Sequence, residues 1–243
     1  MRKFSLTALE LIIMVLIAGN AFCYTINDPV GDAFYWNSNR DAQSFDRIGS
    51  SLYELYGMNI SQSGSLLTFD IFTNFPSTGE QVGGWNTFPA DLALDMNRDG
   101  TYEYGVAFTG HNGLTTGGLY SVTSWNLSNF YDPSAVHDSW PTYGAGYVYH
   151  DDQIVTIKNG SRVGTGGSVA WNQLSGTGPR YMVKAIVDTS LMNNYDGSFN
   201  VFYGEATCAN DYLKGSASPV PEPATMALLG MGILGLFGLK RKK

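Results

Sequence analysis

From Tyr24 to Gly215 no segment keeps the three-to-four-residue apolar repeat that a helix burying one face needs. The pattern has a period of two. In "SLLTFDIFTNF", Leu67, Phe69 and Ile71 alternate with Thr68, Asp70 and Phe72, and "SLYELYGMNI" precedes it across a polar turn at Ser61–Gly64, so the two read as a hairpin. A second hairpin reads from "ADLALDM" through "NRDG" into "TYEYGVAFT". There Tyr102, Tyr104, Val106 and Phe108 share one face, opposite Thr101, Glu103 and Thr109. Further strands are expected at Leu119–Trp125, Ile154–Lys158, Ser168–Leu174, Tyr181–Asp188 and Ser198–Ala206. Many short strands separated by turn signals predict an all-β fold, a single antiparallel β-sandwich of jelly-roll type over residues 24–215.

Gly, Asn, Ser and Thr fill the space between the apolar stretches, and only 14 % of residues are charged. The two ends hold six of the 14 basic residues and two of the 21 acidic ones. The body therefore keeps eight basic and 19 acidic residues, a net −11. Such a surface repels phosphate, which argues against a nucleic-acid partner, and attracts cations such as calcium.

The ends differ in kind from the body. Residues 1–23 begin with Arg2 and Lys3, continue through an apolar run from Leu11 to Ala18, and end in small residues, the pattern of a signal peptide. Gly19 and Ala21 suit cleavage after Ala21, and a second option cuts after Cys23. Glu10 interrupts the approach to the apolar run. "FSLTALELIIMV" also resembles a type IV prepilin start, although Lys3 stands where that family carries Gly. Cleavage after Ala21 would leave Cys23 and Cys208 able to pair in an oxidising compartment.

At the other end, Ser216–Val220 reads as a linker. Pro221 and Pro223 then keep the chain extended ahead of Ala224–Leu239, 16 residues without a charge. A helix there spans about 24 Å, a marginal transmembrane segment. Lys240, Arg241, Lys242 and Lys243 would hold its end on the cytoplasmic side.

The stretch 221–243, "PEPATMALLGMGILGLFGLKRKK", closely resembles the PEP-CTERM sorting signal of Gram-negative bacteria. The resemblance implies export and recognition of Pro221, Glu222 and Pro223 by exosortase, a membrane transpeptidase that passes its substrates outward. It also implies a setting of exopolysaccharide and biofilm matrix. In the body, "DPVGDAFYW" and "DLALDMNRDGTYEYGVAF" are similar to extracellular carbohydrate-binding sandwiches. "CANDYLKG" at 208–215 resembles a stretch that precedes PEP-CTERM tails. These likenesses carry no catalytic residue.

One constellation in the body has the spacing of a metal loop. In "DMNRDGTYE", Asp95, Asn97 and Asp99 stand two apart, Gly100 permits a sharp turn, Thr101 offers a carbonyl and Glu103 follows. The twelfth position, where a calcium loop places a bidentate Glu, is Val106. The same residues also suit a plain β-turn. Asp28 and Asp32 flank a Pro-Gly turn and offer a weaker cation site. The aromatic cluster of "SWPTYGAGYVYH" makes Trp140, Tyr143 and Tyr147 candidate platforms for sugar rings.

His111, His137 and His150 form no zinc motif, and no nucleophile elbow, phosphate loop or dinucleotide fingerprint is present in the sequence. The reading is a non-catalytic, surface-sorted matrix protein, structural or glycan-binding. An extracellular glycan-active enzyme and an adhesin or pilin-like subunit are the alternatives.

Overall fold

The computed structural model describes residues 22–28, 51–82, 85–128, 153–206 and 211–218. The flanking helices expected at the two ends lie outside the described residues. In chain order the strands are β1 (Phe22–Asn27), β2 (Leu55–Ser63), β3 (Leu66–Thr73), β4 (Glu80–Val82), β5 (Trp85–Thr87), β6 (Leu92–Asp95), β7 (Tyr104–Val106), β8 (Leu119–Leu127), β9 (Ile154–Arg162), β10 (Gly167–Gln173), β11 (Tyr181–Asp188), β12 (Phe199–Gly204) and β13 (Tyr212–Ala217). They form a five-stranded sheet in the order β1-β2-β3-β11-β10 and a six-stranded sheet in the order β13-β12-β6-β7-β8-β9, with β4 and β5 as a separate pair. The pairings within both large sheets are antiparallel.

The period-two pattern builds the core directly. Leu67, Phe69 and Ile71 of β3 stand opposite Val187, Ala185 and Val183 of β11, and all six side chains are buried. Between them, on the outer face, Asp70 meets Lys184 at 2.9 Å. The second sheet contributes Leu92, Leu94, Tyr104, Val106, Phe199, Val201, Tyr203 and Leu213 to the same cluster. The Phe69 and Phe199 rings meet edge-on across the layers at 5.9 Å. Burying each such side chain is worth about 1.5–3 kcal/mol, so this shared core joins the sheets face to face.

A satellite cluster of Ala107, Tyr120 and Ile157, with Leu114, Val122 and Trp125 packed against it, lies apart from the main core. Gly105 in β7 makes room for it. A Cβ at that position would sit 2.6 Å from the Trp125 ring and 2.9 Å from Ile157. The edge of β9 also curls toward the start of β6, where the Asp91 N–H donates to the Val155 carbonyl at 2.8 Å.

Several boundaries differ from the sequence reading. The first hairpin turns at Gly64–Ser65, because Ser61–Ser63 stay paired with Leu66–Thr68. The second is no tight hairpin. An eight-residue excursion, 96–103, separates β6 from β7. Tyr102 therefore leaves the strand, and its ring meets Phe202 at 6.1 Å. β13 runs two residues into the segment read as a linker. β1 starts at Phe22, inside the segment assigned to the leader. Strand β13 has a short alternation that the sequence reading passed over, with Leu213 and Ala217 buried and Lys214 and Ser216 exposed. It is held by the apolar β12 beside it.

Candidate functional site

The excursion between β6 and β7 is folded around one carboxylate. Asp95, the last residue of β6, is fully buried. Its Oδ1 accepts from the backbone N–H of Arg98 at 2.6 Å and of Asp99 at 3.3 Å. Its Oδ2 accepts from Gly100 N–H at 3.0 Å and from the Asn200 amide on β12 at 2.8 Å. Wrapping the chain so tightly needs left-handed backbone at Arg98 (φ 61) and Gly100 (φ 91), and the glycine meets that demand without steric cost. Arg98 turns its guanidinium outward to Asp196 at 2.8 Å, an exposed pair.

Three carboxylates converge. An oxygen each from Asp95, Asp99 and Glu103 lies within 4.8 Å of the others, on buried, exposed and half-buried residues respectively. The loop spends its donors unevenly. All the lone-pair sites of Asp95 are engaged. Asp99 accepts from Thr101 N–H at 2.8 Å and from the Asn97 amide at 3.0 Å, and Glu103 accepts from Met96 N–H at 3.1 Å. The Thr101 hydrogen bond, first among its causes, holds Asp99 below the ordinary carboxylate range. Glu103 is pushed up, first by burial and then by the charges of Asp95 and Asp99. A divalent cation would relieve that repulsion and suits an all-oxygen donor set. Of the residues singled out from the spacing, the structure brings Asp95, Asp99 and Glu103 together, while Asn97 and Thr101 serve as hydrogen-bond partners of Asp99.

The other candidates fare differently. Cys23 is exposed on β1. Its suggested partner Cys208, the aromatic trio Trp140, Tyr143 and Tyr147, the turn residue Asp32 and the motif Pro221, Glu222 and Pro223 lie outside the described residues. Two tryptophans that the structure describes are packed. Trp125 covers Gly105 and donates to the Tyr102 carbonyl at 2.9 Å. Trp171 meets Phe108 at 6.5 Å and Tyr181 at 6.2 Å.

Two buried polar groups escaped the sequence reading. Asp91, just before β6, accepts from Phe108 N–H at 3.0 Å and Ile157 N–H at 2.8 Å, and faces His111 Nε2 at 3.1 Å. The other ring nitrogen of His111 lies 2.9 Å from the Thr109 carbonyl. Both nitrogens thus face oxygen acceptors, the arrangement of a protonated ring. Its hydrogen bond with Asp91 pushes the imidazole up, while burial pushes the Asp91 carboxyl up. Glu205 is wholly buried between the Thr73 hydroxyl and the Tyr203 phenol. Burial holds its carboxyl well above the usual range.

A family model described as the PEP-CTERM protein-sorting motif matches residues 219–242. The chain thus carries the sorting motif that its last residues resemble. The motif marks it as an exported, surface-sorted substrate of exosortase. Comparison with curated proteins and with solved structures gives no match.

Proposed function

We propose that the processed body is a non-catalytic component of the extracellular polysaccharide matrix, structural or glycan-binding, with calcium held at the Asp95–Glu103 loop. The observation that carries this reading is the sorting motif at 219–242 on an antiparallel β-body. It is further supported by the use to which the buried acids are put. Asp91 accepts hydrogen bonds from other parts of the fold, Asp95 from its own loop and Asn200, and Glu205 shares its bonds with Thr73 and Tyr203. In the loop, Asp99 and Glu103 would ligate the ion, and the buried Asp95, its oxygens taken up by the N–H groups around it, would add its negative charge beside them. Calcium would supply positive charge there and lock the excursion in place.

The test is affinity electrophoresis of the exported, processed protein through gels containing the producing cells' own exopolysaccharide, with calcium or with chelator. Retardation that calcium strengthens is the expected result. Unretarded migration in both gels overturns glycan binding. A melting temperature indifferent to calcium overturns the metal. At a hundredfold excess over its dissociation constant, calcium should add about 2.7 kcal/mol of stability, and Asp99→Ala should abolish that gain.

A further inference from the structure

The two chain ends of the body leave from neighbouring edges. β1 is the outer strand of one sheet and β13 the outer strand of the other. Ile26 fills the space over Gly215, where a Cβ would come within 2.6 Å of its Cδ1. Direction follows from two contacts. At the start of β13, Asp211 Oδ2 accepts from Leu55 N–H at 2.8 Å. Leu55 lies at the end of β2 remote from Gln62, the partner of Phe22. β13 therefore runs from the Leu55 end toward the Phe22 end. At that end Ala217 pairs with Phe199, and Tyr195 donates to Gln62 at 2.7 Å.

One pole thus collects the start of β1, the Gly64–Ser65 turn, Leu66 and its partner Asp188, and the exit at Ala217. The Asp95 loop is there too. Ser216 donates to Asn200 at 2.6 Å, and Asn200 donates to Asp95 at 2.8 Å. The opposite pole holds the connection between Gln173 and Tyr181.

Ala217 is fully buried and so is a fixed anchor. Pro221 lies four residues on, at most about 14 Å away even when fully extended. An enzyme that seats Pro221–Pro223 therefore works within reach of this pole. Two exposed apolar side chains stand there, Leu66 at 46 % and Leu191 at 38 % exposure. Leu191 follows Asp188 in the same turn and reaches over Gly166.

We infer that this pole, with Leu66 and Leu191, is a docking surface for the membrane-embedded exosortase that reads the tail, so recognition extends beyond the motif into the folded body. The inference rests on the sorting reading.

Photo-crosslinking in the producing cells tests it on the full chain. A photoreactive residue is placed at Ser63 or Leu66 on this pole, or at Ser175 or Thr177 on the other; all four positions are exposed. The expected result is an exosortase adduct severalfold stronger from the first pair. Adducts with lipid alone, equal adducts from both poles, or none while the tail is removed normally would overturn the docking surface and leave sorting standing. A tail that wild-type cells never remove, read from the mass of the surface protein, would sink the sorting reading and this inference together. As a second measurement, Leu66→Ser with Leu191→Ser should slow tail removal, whereas Phe88→Ser, also exposed, should not. Unchanged removal in the double variant counts against the surface.

Discussion

The two ends of β6 carry carboxylates four positions apart that do different work. Asp95 gathers N–H groups from its own loop, three to five residues away, and only Asn200 comes from another strand. Asp91 gathers them from 17 and 66 residues away, tying the residue after Ala107 and the middle of β9 to the start of β6. One carboxylate shapes a turn, and the other closes a sheet. A local hydrogen bond orders a few exposed residues. A long-range one in a buried site leaves two donors stranded when it is lost.

Substitution should expose the contrast. Asp91→Ala should cost about 3–5 kcal/mol, because it strands the buried Phe108 and Ile157 N–H donors and removes the partner of His111. Asp95→Ala should cost about 1–2 kcal/mol, like the loss of a helix cap. Urea denaturation measures both, and a reversed order breaks the comparison.

Next in size is a pH effect at the Asp91 end. The folded state raises His111 above its ordinary value of 6.5 and Asp91 above 3.8. Their stabilising contribution is complete below those ordinary values and is lost as pH rises through the raised ones. Stability should fall as pH climbs past 6.5, and His111→Gln should flatten that fall. A slope unchanged in the variant would assign it elsewhere.

The glycines sharpen the same point. Gly105→Ala forces Trp125 and Ile157 off the sheet and should cost about 1–3 kcal/mol. Gly100→Ala strains only its own backbone and should cost about 1 kcal/mol. Smallest of all, Asp196→Ala removes the exposed partner of Arg98 and should shift the unfolding midpoint little. A shift as large as that of Asp95→Ala would mean that the pair braces the loop.

This contrast also explains what was legible beforehand. The Asp95 loop could be read because its partners lie within "DMNRDG" and the spacing itself encodes the turn. The role of Asp91 could not, since nothing around Asp91 names Phe108 or Ile157. The central strands were readable from alternation, as β3 and β11 show. The margins were not. β13 offers the core only Leu213 and Ala217, on either side of Gly215, and β9 continues through polar Asn159, Gly160 and Ser161. Their partners decide their conformation, and partners are invisible in a linear reading.

The position of β13 also sets a clock. It is the last described strand, it buries Leu213 and Ala217, and it touches β1 from the other end of the chain. The core cannot be sealed until residue 217 has emerged beside residue 26, so a chain threading outward from its N-terminus stays open through nearly its whole passage.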